Sequence, residues 1–165
     1  MDLRKDIGMK KISLLLVIVM ALCLLCACGS KAADPGMEAV GQAVVASFDT
    51  EGLVDTPDDY VQAMMYLNPE DYESRCALIS GIGTNINELG IFKGTDEEQT
   101  AAIKEAIDNY LQLRREIWME EYLPEEFPKL ENATVWVEGN YVMYAILDSD
   151  SAAAAHDAFV NCFVK

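Results

Sequence analysis

The sequence contains few of the side chains on which most catalytic and metal sites depend. It has one histidine, His156, and five cysteines in 165 residues. Downstream of Cys28 there is no Gly-x-Ser-x-Gly elbow and no Cys-x-x-Cys or His-x-x-x-His pair, so the common signatures of serine hydrolases and zinc sites are missing. His156 and Cys162 are separated by about 120° around a helix, so they do not face each other. We therefore expect no catalytic residue, no cofactor and no metal site.

Positive charge is also scarce. The chain has 12 Lys and Arg residues against 28 Asp and Glu residues. Four of the basic and two of the acidic residues precede Cys28, so the chain from Cys28 onward carries a formal charge of −18. Nucleic acids and anionic lipid surfaces bind through clustered Lys and Arg. This charge therefore argues against both as partners and favours a solvated acidic surface.

The N-terminal apolar run is too short for a membrane-spanning helix. Ile12–Leu25 is 14 residues long, whereas a spanning helix needs about 20, and a basic segment precedes it. Leu25-Cys26-Ala27-Cys28-Gly29 follows and resembles a bacterial lipobox, in which the last cysteine is lipidated and becomes the mature N-terminus. An uncleaved N-terminal anchor is the alternative, and translation could start at Met1 or Met9.

These features predict three segments. Residues 1–27 form a lipoprotein signal peptide, residues 28–34 a flexible tether, and residues 35–165 one α+β domain. The lipid on Cys28, a palmitate or similar acyl group, would hold the protein at the extracytoplasmic face of the cell membrane, because each buried CH₂ contributes about 0.8 kcal/mol. The partners expected are this membrane and an unknown envelope protein or ligand.

Capping residues and apolar spacing predict the helices. Asp34-Pro35 is expected to begin the first helix, Thr56-Pro57 the second, and Asn68–Asp71 a single turn, with a loop at 49–55. Thr95-x-x-Glu98 reads as the capping box of a long helix over 96–122. Asp148 is expected to cap a final helix.

Four β-rich segments predict an antiparallel sheet of two hairpins. The first pair is Cys76–Ser80 and Glu88–Lys93, joined by a glycine-rich loop, and Gly90 either weakens the prediction of its strand or marks a close backbone approach. The second pair, Thr134–Glu138 and Tyr141–Leu147, is joined by Gly139-Asn140, which suits a type II′ turn. Both faces of 141–147 are apolar, which indicates a central strand. We expect the long helix to pack on the sheet, and the alternative is a mostly helical domain with one hairpin.

Cys76 and Cys162 are the two thiols left in the mature chain besides Cys28. An exported protein can form disulfides, so a bond between them is one interpretation. The other is that both are core residues.

Several short motifs occur in the order found in a known family. They are the lipobox and the segments 68–72 (Asn-Pro-Glu-Asp-Tyr), 90–92 (Gly-Ile-Phe), 122–124 (Tyr-Leu-Pro) and 139–142 (Gly-Asn-Tyr-Val). The chain thereby resembles the domain of unknown function 4358 family of small lipoproteins, mostly from Gram-positive gut bacteria. The resemblance implies a lipoprotein but transfers no activity and no functional residue.

Two classes of function remain open at this point. The absence of reaction signatures favours a non-enzymatic binding or accessory module held at the membrane. The alternative is a cell-envelope hydrolase that uses carboxylates, which needs two of them flanking a cleft, roughly 5–10 Å apart.

Overall fold

The structure is a computed structural model that describes residues 34–119 and 121–164. The predicted signal peptide, the predicted lipidation site Cys28 and residues 28–33 of the predicted tether lie outside the described residues. Within the described part of the chain, no helix combines the length and apolarity needed to cross a membrane.

The described residues form one antiparallel sheet of five strands in the order β1-β2-β3-β5-β4. The strands are β1 Leu53–Asp55, β2 Ser74–Ser80, β3 Glu88–Lys93, β4 Thr134–Glu138 and β5 Tyr141–Ile146. Both predicted hairpins are confirmed. The prediction of four strands is wrong, because part of the loop expected at 49–55 pairs with the outer edge of β2.

Five helices occur in the described residues and cover both faces of the sheet. They are α1 Met37–Val45, α2 Asp58–Met65, α3 Glu97–Glu116, α4 Phe127–Glu131 and α5 Ser149–Asn161, with a 3₁₀ turn at Pro69–Asp71. Side chains alternate between the faces of each strand. One face of the sheet therefore forms a core with α2 and α3, which includes Val61, Phe92, Ile103, Ile107 and Tyr144. The other face forms a second core with α1 and α5, which includes Val40, Val44, Ile91, Met143 and Phe159.

Strands β3 and β5 lie at the centre of the sheet, and all their residues are buried. This confirms the prediction that 141–147 is covered on both sides. Gly139 has a φ of +56°, and Asn140 is not among the residues with positive φ, which is the pattern a type II′ turn requires. The hairpin turn therefore forms as the sequence predicts.

The long helix is shorter than predicted, with 20 residues, or about 30 Å, in place of 27. The apolar pattern continues past Glu116, but Ile117 and Met119 are exposed and have no core to cover. The capping residue also differs from the prediction. Asp96 rather than Thr95 is the N-cap, because the Asp96 carboxylate accepts the Gln99 N–H at 2.9 Å.

Helices α1 and α2 begin at other residues than predicted, whereas α5 has the predicted N-cap. Asp34 accepts the Gly36 N–H at 3.0 Å, and the N-cap of α1 is Gly36. The N-cap of α2 is Pro57, with no side-chain cap. Asp148 caps α5 as predicted, by accepting the N–H groups of Asp150 and Ser151.

Candidate functional site

A cleft of about 320 Å³ opens at the end of the sheet where β3 begins. The loop between β2 and β3 forms one wall, and the last turns of α3 lie opposite. Glu88 and Arg114 lie in this cleft. Its other lining side chains are mostly apolar or aromatic and include Tyr60, Ile79, Ile82, Ile86, Tyr122 and Leu123. A cleft with mostly apolar walls and a few polar groups is the usual form of a small-molecule site.

Glu88 is a buried carboxylate held by several donors. Only 2% of its side chain is exposed, because the inward face of β3 points it into the core beneath α3. Arg114 Nη1 donates to Oε1, and the Tyr110 hydroxyl donates to Oε2 at 2.6 Å. The Tyr144 hydroxyl lies 3.4 Å from the same Oε2. A buried charge is stable in such a place only when it is paired and hydrogen-bonded in this way.

Gly90 makes room for one of these tyrosines. Gly90 and Tyr144 are paired across β3 and β5, and the Tyr144 ring lies directly over Gly90. A Cβ atom at position 90 would be 2.2 Å from Tyr144 Cε1, well inside van der Waals contact. A close approach at Gly90 is therefore present, but the Tyr144 ring makes it rather than the backbone that the sequence suggested, and it lets the Tyr144 hydroxyl reach Glu88.

The tyrosine hydroxyls around Glu88 form a connected network with Arg114. The Tyr60 and Tyr110 hydroxyls are 2.9 Å apart, and Arg114 Nη1 is 3.0 Å from the first and 2.6 Å from the second. Burial, together with the charge of Glu88, raises the pKa values of Tyr60, Tyr110 and Tyr144 above their ordinary range. These hydroxyls therefore keep their protons and act as donors.

Arg114 has one engaged and one unengaged side. Burial is the largest single influence and opposes its charge, but Glu88, Tyr110 and Tyr60 together outweigh burial, so the pKa of the guanidinium is raised. Within residues 34–119 and 121–164, only Nη1 of Arg114 makes hydrogen bonds. Neither Nε nor Nη2 is among the buried side-chain atoms that lack a partner. Because Arg114 lines the cleft, the three N–H donors of Nε and Nη2 are the ones that a ligand there could use.

The wall of the cleft is fastened to the rest of the domain. Glu126 is nearly buried and accepts the Ile86 N–H at 3.0 Å. Lys129 binds Glu126 at 2.8 Å and Asn87 Oδ1 at 2.9 Å. Helix α4 thus holds the loop in place beside Glu88.

A second depression of about 450 Å³ contains Glu125, Lys129, Asp148 and other residues between α4 and α5. Its Asp148 carboxylate is already used as a helix cap, and the hydrogen bond from the Ser151 N–H is the main cause of its lowered pKa. Among the described residues that line the first cleft, Glu88 is the only carboxylate. Within the part of the chain that the structure describes, neither place therefore presents two uncommitted carboxylates.

A charged cluster at the opposite end of β3 fixes the beginning of the domain. Lys93 Nζ lies 2.7 Å from Asp34 Oδ2 and 2.7 Å from Glu73 Oε1, and the Tyr141 hydroxyl donates to Asp34 Oδ1 at 2.5 Å. We call Asp34, Glu73, Lys93 and Tyr141 the tether clasp. The Lys93 hydrogen bond is the main reason that the pKa of Asp34 is lowered to about 2. Position 34, the last residue of the predicted tether, is therefore anchored at this end of the sheet.

The residues singled out from the sequence do not form the site. His156 stacks on Trp136, with ring centroids 4.9 Å apart. Cys76 and Cys162 are separate thiols, so the disulfide interpretation is not realised in this structure. Both pack against the core between the sheet and α1 and α5, as the alternative proposed. Among the described residues, no group of three or more His, Cys, Asp or Glu side chains could hold a metal ion.

Sequence reasoning missed the cluster formed by Glu88, Arg114, Tyr60, Tyr110 and Tyr144. The sequence contains a sign of this cluster, because Glu88 begins a strand whose remaining residues are apolar apart from Lys93 at its end. An acidic residue at an inward-facing position requires a buried partner. The partner itself, 26 positions away on α3, could not be identified from spacing.

Comparison with known proteins agrees with the resemblance seen in the sequence motifs. No curated protein and no solved structure matched the chain. The sequence model of the family described as domain of unknown function (DUF4358) matches residues 46–147, which is more than half of the chain. This stretch contains all five strands, α2 to α4 and both sides of the cleft. The protein therefore belongs to the DUF4358 family.

Proposed function

We propose that this protein is a lipid-anchored, extracytoplasmic binding module whose ligand site is the cleft at Glu88 and Arg114. One observation carries the proposal: the cleft and the tether clasp lie at opposite ends of β3. Glu88 is the first residue of the strand and Lys93 the last, which separates them by about 17 Å at 3.4 Å per residue.

The distance from the proposed anchor reinforces this orientation. Cys28 is six residues from Asp34, so the tether spans at most about 20 Å. Lipid on Cys28 would therefore hold the clasp close to the membrane. The cleft would then open away from the membrane, where molecules outside the cell can enter it.

Binding is favoured over hydrolysis by the state of the polar groups. The carboxylate in the cleft is already paired with Arg114 and two tyrosines, so it is poorly placed to take up or deliver a proton during turnover. A carboxylate hydrolase would need a second acid across the cleft. The unengaged edge of Arg114, by contrast, is suited to holding a ligand.

The orientation can be measured with a fluorophore at either end of the domain. In full-length protein that carries Cys76→Ala and Cys162→Ala, a single probe is attached at Ile82→Cys on the cleft wall or at Glu98→Cys near the clasp. Both positions are exposed. In vesicles with nitroxide-labelled lipid headgroups, we expect stronger quenching at 98 than at 82. Equal quenching, or stronger quenching at 82, would contradict the orientation.

A turnover assay tests binding against catalysis. Full-length protein in vesicles is incubated with cell-wall polymer fragments, peptides, esters and phosphoesters, and we expect no product above the level seen without protein. Turnover that disappears in a folded Glu88→Gln variant would overturn the binding proposal and establish the carboxylate hydrolase.

A further inference from the structure

The charges and hydrogen-bond donors of the cleft indicate which class of ligand it binds. We infer that the cleft binds a small organic carboxylate, whose two oxygens accept hydrogen bonds from Nε and Nη2 of Arg114. The apolar part of this ligand packs against the cleft wall at Ile82 and Tyr122. This inference rests on the proposed binding function and adds to it the chemistry of the ligand.

The guanidinium of Arg114 is held in an orientation that suits a carboxylate. Nη1 is committed to Glu88, Tyr60 and Tyr110, and these contacts fix the plane of the group. The Arg114 side chain is only 14% exposed, so little conformational freedom remains to be lost on binding. The remaining edge presents parallel N–H donors at the spacing of two carboxylate oxygens, which is the bidentate arrangement that arginine forms best.

The charge balance of the cleft favours a carboxylate over a phosphate. Among the described residues that line the cleft, Arg114 is the only Arg or Lys, and Glu88 already offsets its charge. The whole chain has a formal charge of −16. A phosphate dianion would find one partly compensated cation in a strongly acidic protein. A carboxylate carries a single charge on a planar pair of oxygens, which one arginine edge can satisfy.

The apolar lining of the cleft favours a ligand whose body is apolar. Ile82 and Tyr122 remain 51% and 56% exposed at the mouth of the cleft, and Ile79, Ile86 and Leu123 lie further along it. A volume of about 320 Å³ is at the small end for ligand sites, so the body is a short aliphatic or aromatic group. Tyr122 is held in place by its hydroxyl, which donates to the Gly83 carbonyl at 3.2 Å.

Pairs of acids and amides test the inference directly. The probes are benzoate, phenylacetate and N-acetyl-dialanine, each beside its primary amide, titrated into full-length protein in lipid nanodiscs. The amide keeps the shape of the acid but lacks the charge and the second acceptor oxygen. We expect at least one acid to bind at least tenfold more tightly than its amide, and its addition to shift the Arg114 Nε–H resonance in an NMR spectrum.

Two variants locate the effect. Arg114→Lys keeps a positive charge beside Glu88 but removes the planar edge, so the preference for acid over amide should fall to less than threefold. Tyr122→Ala removes contact with the body only, so acid and amide should weaken by the same factor. If Arg114→Lys does not fold, the acid-to-amide ratio and the Nε–H shift of the wild-type protein decide alone.

The outcomes separate this inference from the proposed function. Acids and amides that bind equally in the cleft, with shifts at Ile82 but none at Arg114 Nε–H, would overturn the carboxylate and leave the binding module. Binding of the acids with an unchanged preference in folded Arg114→Lys would also overturn it. If none of the six probes binds, the carboxylate inference is wrong, whereas the binding module itself fails only in the orientation and turnover assays above.

Discussion

Asp34 is the residue whose surroundings connect the tether to the fold. The Lys93 hydrogen bond and the Tyr141 hydroxyl lower its pKa to about 2 from an ordinary value of 3.8. A carboxyl whose pKa is lower in the folded state than in the unfolded state stabilises the fold above its unfolded pKa. This contribution should therefore be complete above about pH 4 and be lost as the pH falls toward about 2.

A ¹³C NMR titration of the Asp34 carboxyl group measures this shift directly. We expect a midpoint near 2 in the wild-type protein and a return toward 3.8 in Lys93→Met, which keeps the length of the side chain without its charge. Burial and the Asp34 hydrogen bond raise the pKa of Tyr141 to about 12. The stabilisation of the fold that comes from this raised pKa should therefore be complete below about pH 10 and be lost as the pH rises to about 12. An Asp34 midpoint that is the same in both proteins would show that the clasp does not form.

Gly90 is a position at which adding a single methyl group should lower the free energy of unfolding strongly. Gly90→Ala places a Cβ atom 2.2 Å from the Tyr144 ring, and the ring cannot move without losing its contact with Glu88. Overpacking of this kind costs about 1–3 kcal/mol of the free energy of unfolding. Chemical denaturation measures the loss. Gly83→Ala is the matched control, because nothing lies within 4 Å of its Cβ position, and it should change stability by less than about 0.5 kcal/mol.

The sequence supports Gly90 as a close approach but cannot identify what approaches it. The partner of Gly90 depends on the register between β3 and β5, which places Tyr144 opposite it. The same limit applies to Glu88. A lone acid in an apolar strand predicts a buried partner, yet Arg114 is supplied by a helix that joins it only in the folded structure.

At the scale of single elements, the N-cap of α3 differs between the structure and the sequence prediction. The pattern favours Thr95 as the N-cap, whereas the structure has Asp96 accepting the Gln99 N–H. Asp96→Ala should therefore destabilise the protein by about 1 kcal/mol, a typical value for a lost cap. Thr95→Ala should cost less than half of that, because it keeps the backbone N–H that donates to Gln99 Oε1 and removes only a long hydrogen bond of 3.5 Å from the Thr95 hydroxyl to Asp96 Oδ2. Thermal unfolding of the two variants compares them, and a larger loss in Thr95→Ala would restore the original assignment.

Element boundaries were predictable where local chemistry determines them. Strand β3 has the predicted bounds, and α5 has the predicted cap, because a strong apolar run and an N-cap aspartate act locally. Strand β1 was missed because its three residues pair with an existing edge and carry little signal of their own. The end of α3 was missed because it depends on where the sheet beneath it stops, and spacing within the helix does not contain that information.

At the scale of the whole molecule, the two hairpins and the long helix were enough to predict an α+β domain with a covered central strand. They were not enough to predict the cleft. Its polar groups come from β3, β5, α2 and α3, and its wall comes from a loop fastened by α4. Sites assembled from several elements depend on the packing angles and register of those elements, which sequence patterns do not fix.

The proposed membrane attachment concerns the whole molecule and depends on Cys28. Cys28→Ala removes the thiol that would carry the acyl group but leaves the domain and the tether clasp intact. We expect wild-type protein in the membrane fraction with a mature N-terminus at residue 28, and the variant in the medium or as an uncleaved precursor. Cell fractionation measures the location of each protein, and incorporation of an alkyne-labelled palmitate measures acylation. Mass spectrometry of the N-terminal peptide identifies the mature N-terminus.

The neighbouring cysteine provides the control for this experiment. Cys26→Ala changes a thiol two positions earlier while it keeps Leu25 and Ala27, so the lipobox remains and the acyl label should persist. Because Cys26 precedes the expected cut, its loss should leave the mature protein unchanged in mass. Acylated, membrane-bound Cys28→Ala protein with an unaltered N-terminus would refute the lipobox. It would also remove the basis for placing the clasp near the membrane, since only the short link proposed between Asp34 and the lipid would orient the cleft outward.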